Sequence, residues 1–133
     1  MNTDLGTTVT TTGLLAEIPV TGGGTDSASF DCARGRWTLL VGVMGSAAGG
    51  DLTITVEDSA NDSAFAAVSG VSTLTATAAD KGMFTILIDH RKIRRYGRLN
   101  VVLESGGNTR VTVGACSFHG ESGGGNGADL VIA

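Results

Sequence analysis

Residues 88–103 read Ile-Asp-His-Arg-Lys-Ile-Arg-Arg-Tyr-Gly-Arg-Leu-Asn-Val-Val-Leu, so five of the chain's nine basic residues, Arg91, Lys92, Arg94, Arg95 and Arg98, fall in one short run. Cations at this density repel one another, and their closeness costs stability unless carboxylates or another anionic surface face them. The chain as a whole carries a formal net charge of −4, which argues against nucleic acid or an anionic membrane as the main partner. Tyr96 stands alone among these cations, and one aromatic is a poor platform for stacking bases. The run therefore predicts contact with an acidic protein surface. Residues 1–31 hold Asp4, Glu17, Asp26 and Asp31 and no Lys or Arg, so a second copy of the chain offers one such surface.

Other reactive residues do not assemble into a recognisable motif. His90 and His119 are too few and too isolated for a histidine metal site, and Cys116 lies three residues before His119. Strand alternation puts positions three apart on opposite faces, so this pair reads as a core thiol and a surface imidazole. Asp58, Asn61 and Asp62 carry oxygens suited to calcium, but their spacing misses the EF-hand loop and no Glu completes it. No Ser stands in a Gly-x-Ser-x-Gly elbow, and no Gly-rich stretch follows a strand and opens a helix. Nothing selects one catalytic pair from thirteen acids. The expectation is a non-enzymatic chain without cofactor or metal.

The elements that must position the basic run are strands. Gly 21, Pro 1 and abundant Thr, Ser and Val favour an all-β class, since β-branched side chains suit a pleated sheet and glycine suits its turns. Trp37, Leu39, Val41 and Val43 alternate with Thr38, Leu40, Gly42 and Met44, giving two partly apolar faces as in a central strand. Leu52, Ile54 and Val56 alternate with Thr53, Thr55 and Glu57, a half-buried strand with a wet outer face. Weaker strand signals cover 65–68 and 71–77. Phe84, Ile86 and Ile88 lead into the basic corner, and Leu99, Val101 and Leu103 lead out of it. Val111, Val113 and Ala115 follow, and the Ser-Gly-Gly-Asn stretch at 105–108 predicts a hairpin joining these last two strands. Turns are expected at 46–50 and 78–82. Ile93 and Tyr96 are expected to turn inward and cap the core, as the corner tyrosine of sandwich domains does. Seven or eight short strands with regular turn signals predict an antiparallel two-sheet β-sandwich, of jelly-roll or immunoglobulin type.

With 133 residues there is room for one core and not comfortably for two. The expected division is an extended Thr- and Gly-rich N-terminal arm at 1–29, a sandwich at 30–119 and a Gly-rich C-terminal tail at 120–133. Leu14, Leu15, Ile18 and Val20 are the apolar exception in the arm and suit a strand laid on a neighbouring sheet edge. Leu130, Val131 and Ile132 form an apolar tip after the glycines, suited to docking at a distance. The start of the chain lacks the basic and apolar regions of a secretory signal, and no stretch approaches a membrane span. Synthesis in a cytosol-like compartment is expected, with Cys32 and Cys116 as free thiols.

Four segments together resemble the small structural proteins of tailed bacteriophages: Asp51-Leu-Thr-Ile-Thr-Val-Glu-Asp-Ser, Ser63-Ala-Phe-Ala-Ala-Val-Ser-Gly, Phe84-Thr-Ile-Leu-Ile-Asp and Arg94-Arg-Tyr-Gly-Arg-Leu-Asn-Val-Val. The resemblance covers about 37–118 and is greatest to capsid decoration, or cement, proteins. It implies a homotrimeric virion protein on the capsid surface, made in the host cytoplasm, that bridges major capsid subunits and stabilises the shell. Arg91, Lys92, Arg94, Arg95 and Arg98, with Leu14, Leu15 and Ile18, are then the expected protein-binding residues. A tail or neck component and a carbohydrate-binding sandwich are the alternatives. The latter needs an exposed aromatic platform, whereas Trp37 and Tyr96 read as parts of the fold itself. Gly97 departs from the pattern, since a larger residue is usual after the tyrosine.

Overall fold

The computed structural model describes residues 10–20, 24–33, 35–44, 51–70, 72–76, 83–103, 109–119 and 128–132. They form strands β1 (Thr10–Val20), β2 (Thr25–Asp26), β3 (Phe30–Asp31), β4 (Trp37–Met44), β5 (Leu52–Ser59) and β6 (Ala66–Ala67). After these come β7 (Thr73–Ala76), β8 (Met83–Asp89), one turn of 3-10 helix (His90–Lys92), β9 (Tyr96–Leu103), β10 (Thr109–Phe118) and β11 (Leu130–Ile132). No α-helix occurs among the described residues. The expected turns at 46–50, 78–82 and 105–108, and the glycine-rich stretch 120–127, lie outside them.

Two sheets pack face to face as a β-sandwich. Sheet A has the order β1-β10-β4-β8-β11; sheet B has the order β2-β9-β5-β6, with β3 also on β9 and β7 also on β5. The strands predicted to be half-buried supply the core by strict alternation. Leu52, Ile54 and Val56 of β5 and Leu99, Val101 and Leu103 of β9 face Leu40, Phe84, Ile86, Ile88, Val111 and Val113 of sheet A. Burying six aliphatic side chains from one sheet alone contributes on the order of 10 kcal/mol before entropy is counted.

The core's two phenylalanines are each seated on a glycine directly across a strand pair. Phe84 opposes Gly42, and Phe30 opposes Gly97. A Cβ built on Gly42 would lie 2.0 Å from Phe84 Cζ, and one on Gly97 would lie 2.3 Å from Phe30 Cζ. Gly97, out of place by its resemblance, is thus a socket for an aromatic ring arriving from the arm side of the chain.

Three sequence expectations need correction. The hairpin predicted between β9 and β10 does not form, because β9 pairs with β5 in sheet B and β10 pairs with β4 and β1 in sheet A. Each strand has one apolar face, and the two faces meet more completely across the sandwich than side by side. Tyr96 does not turn inward: it sits half-buried on the outer side of β9, where Gly97, Leu99 and Val101 take the inward positions. Ile93 does pack against the core. Finally, the sheets are not wholly antiparallel, since β11 runs parallel to β8. Strand β1, which carries Leu14, Leu15 and Ile18, pairs along β10 of its own sheet with two register shifts.

Candidate functional site

The basic residues occupy the crossover from sheet A to sheet B at one end of the sandwich. Strand β8 ends at Asp89, which caps the 3-10 turn: its Oδ1 accepts from the Arg91 backbone N–H at 3.0 Å. The turn carries His90, Arg91 and Lys92, and the chain enters β9 at Tyr96. Four of the five cations meet carboxylates of the same chain. Arg91 binds Asp89 at 2.6 Å, and Arg94 Nη2 lies 2.7 Å from Asp58 Oδ1 while donating to the Asp58 carbonyl at 2.6 Å. Arg95 binds Asp31 at 3.1 Å. Arg98 reaches both Glu57 at 2.7 Å and Asp26 at 3.1 Å, with its guanidinium 4.3 Å from the centre of the Phe65 ring. Lys92 is exposed and has no ion-pair partner among the described residues.

These pairs fasten separate segments together. Asp26 and Asp31 lie on β2 and β3, so Arg98 and Arg95 clasp these two short strands of sheet B onto β9. Backbone bonds reinforce the clasp: Ser27 N–H donates to Leu99 O at 2.8 Å, the Leu99 N–H donates to Ser27 Oγ at 2.8 Å, and Cys32 N–H donates to Arg95 O at 2.7 Å. Arg94 ties the corner to the end of β5 through buried Asp58, whose Oδ2 also accepts from the Arg94 N–H. The Asp58 carboxylate is therefore taken up by Arg94. Asn61 Oδ1 accepts from Ser59, Ser63 and Ala64. Among the described residues no group of three or more His, Cys, Asp or Glu is placed to hold a metal ion.

Protonation follows this arrangement. The Arg91 side chain, hydrogen-bonded to Asp89, draws that carboxyl down to about 2, against burial acting the other way. His90 Nδ1 donates to Gly35 O at 2.9 Å, and Nε2 lies 2.6 Å from Thr38 Oγ1, which in turn lies 2.8 Å from Ser117 Oγ. Burial lowers the His90 pKa. Burial raises the Cys32 thiol to about 12, with Asp31 and Asp58 adding to the shift, so Cys32 is an inert core thiol.

A second surface has the opposite character. On the outer side of sheet A the cross-strand rows include Cys116–Leu39–Leu87–Val131, Gly114–Val41–Thr85 and Thr112–Val43–Met83, which are uncharged from β10 to β8; Asp129 stands beside Thr85 at the end of the middle one, and Asp89 closes the next row, Phe118–Trp37–Asp89. Val43 is 51% exposed and Met83 55%, while Val41 and Val131 are each 37% exposed. The outer side of sheet B carries Thr53, Thr55, Glu57, Arg98 and Asn100 instead. Alternation at β4 showed two apolar faces in sequence but did not say that one would be left uncovered. Asp89 lies inside the basic run itself, two residues before Arg91, but Asp26, Asp31, Glu57 and Asp58 are scattered in sequence, and strand register brings them to the arginines of their own chain. The side chains of Leu14, Leu15 and Ile18 lie outside the described residues.

No protein-family model and no curated protein matches the chain. Solved structures share its fold. The PBSX exported protein XepA superposes with a TM-score of 0.59 at 13% identity, over 85% of this chain and 38% of that one. A protein of Bacillus endospore appendages, described as a family of disulfide-linked pili, superposes with a TM-score of 0.52 at 11% identity, over 84% of this chain and 88% of that one. The infectious bursal disease virus VP2 subviral particle gives a TM-score of 0.43 at 18% identity, over 87% of this chain and 34% of that one. The chain thus spans well under half the length of XepA, and at these identities what it shares with XepA and the appendage protein is the two-sheet β fold.

Proposed function

We propose that the chain is a non-enzymatic structural protein of a phage particle, which binds the outside of a capsid and stabilises it by bridging major capsid subunits. The observation that carries this reading is the apolar patch on the outer face of sheet A, where Val41, Val43, Met83 and Val131 are turned to solvent with Asp129 at its β11 margin. The segments that resemble phage cement proteins support it, as does a fold shared with an appendage protein that assembles into pili. The patch covers a few hundred Å² by strand spacing, too little for a stable complex alone, so retention relies on many copies in an array.

The corner plays a secondary part in this proposal. Arg91, Arg94 and Arg95 are neutralised by their own chain, yet their side chains remain 65%, 47% and 57% exposed, which leaves them with Lys92 as a polar rim for contact. Strand β1, with Leu14, Leu15 and Ile18, offers sheet A's other edge to a capsid subunit or to a sister copy in a trimer. The test is to add purified protein to preformed capsids of tailed phages, sediment them, and measure shell disruption against temperature. Saturable co-sedimentation with a raised disruption temperature is expected. Protein left in the supernatant and shells that open at their ordinary temperature would overturn the reading.

A further inference from the structure

Strand β11 is held in a way unlike any other strand of sheet A. Three residues long, it is bound on one side only and runs parallel to β8 in a sheet otherwise built of antiparallel pairs. Leu130 and Ile132 nevertheless enter the core and are each 7% exposed, while Val131 points outward. Asp129 completes the seat: its Oδ2 accepts from the Thr85 N–H at 2.7 Å and lies 3.2 Å from Thr85 Oγ1, and its own N–H donates to Thr85 O at 3.0 Å. The β8 edge is therefore a slot shaped for Asp-apolar-x-apolar. Left empty it would expose the Ile86 and Ile88 strand edge and two holes in the core.

The chain that delivers β11 is longer than the delivery requires. Phe118 opposes Trp37, and Trp37 opposes Asp89, so β10 ends beside the end of β8. Leu130 opposes Ile86 on the far side of β8. Three strand spacings across and three residues down make roughly 17 Å. About twelve residue steps reach up to ~40 Å. The intervening 120–127 reads Gly-Glu-Ser-Gly-Gly-Gly-Asn-Gly, a composition that gives a tethered strand an effective concentration only in the millimolar range. A millimolar solution of the protein reaches a comparable concentration of free ends.

We infer that Asp129–Leu130–Val131–Ile132 is an exchangeable strand, which leaves its own β8 and completes sheet A of a second copy of this chain through the same pairs. The shell-binding reading is not needed for this, and the experiment contains no shells. In a Cys116→Ser background, with Cys32 buried, one preparation carries Leu87→Cys, a second carries Val131→Cys and a third carries both. Positions 87 and 131 are register partners on the outer face. The double variant is expected to close an internal disulfide under mild oxidation, which reports the seat. A millimolar, equimolar mixture of the two single variants is expected to yield the mixed disulfide dimer well above the sum of the two homodimers, the share that random pairing gives, and Leu130→Asp on the Val131→Cys chain is expected to remove that excess. Mixed dimers no more frequent than the two homodimers together, while the double variant closes, would overturn the exchange. Failure of the double variant to close would overturn the seat itself.

Discussion

At the scale of single residues, the glycines separate by what faces them. Gly42 and Gly97 lie under the rings of Phe84 and Phe30, whereas a Cβ at Gly114 meets nothing within 4 Å on the outer side of β10. An added methyl at Gly42 or Gly97 forces a core ring off its position between packed strands, a displacement that costs about 1–3 kcal/mol. Gly114→Ala removes chain freedom from the unfolded state and adds no clash, so it is expected to be neutral or to stabilise by up to ~1 kcal/mol. Urea midpoints for the three alanine variants check this contrast. Equal losses at all three positions would mean that the rings do not define the sockets. The Gly97 case also shows a limit of sequence reading. A glycine after Tyr96 looked like a defect in a strand, because its partner Phe30 lies 67 positions earlier and nothing local announces it.

At the scale of elements, β4, β5, β8 and β9 were legible because each buries one face and exposes the other, and period-two alternation records that directly. What alternation does not record is which strands are neighbours. The β9 and β10 patterns are equally consistent with a hairpin and with opposite sheets, and five intervening residues span either path. The same blindness hid most of the site: density made Arg91, Arg94, Arg95 and Arg98 conspicuous and Asp89 stands beside Arg91 in sequence, but the other carboxylates come from β2, β3 and β5. The crossover from β8 to β9 should consequently lose stability in acid. The depressed Asp89 pKa stabilises the fold above the ordinary value of 3.8, and that contribution disappears as pH falls through about 2. His90 is also depressed, so below its ordinary 6.5 the unfolded chain takes up a proton that the folded chain resists, and stability declines with falling pH there as well. Urea midpoints from pH 8 to pH 2 are expected to fall in two stages. His90→Gln should flatten the upper stage. Asp89→Asn should remove about 1–2 kcal/mol at neutral pH, since exposure of Arg91 screens the pair, and should flatten the lower stage. A wild-type profile level from pH 7 to pH 4 would contradict the role given to His90.

At the scale of the whole molecule, two surfaces compete for the role of interface, and their energetics point in opposite directions. The arginine corner is bound into the fold, so changing it acts on stability. On the outer face of sheet A, Val43 and Met83 are each about half exposed, so changing them alters the folded state little. Charge reversal at Arg94 and Arg95 sets like charges against Asp58 and Asp31, and Asp58 is buried. That variant is expected to lose on the order of 2–4 kcal/mol in thermal or urea unfolding. Val43→Lys with Met83→Lys is expected to lose no more than about 1 kcal/mol, because both side chains already face water and the only new cost is two lysines opposed across the strand pair. Capsid retention should follow the opposite order once both variants are assayed well below their melting temperatures: abolished by charge on the apolar face, weakened at most several-fold at the corner. If the lysine pair binds shells as the wild type does while the folded corner variant does not, attachment runs through the arginines and the apolar face has another use.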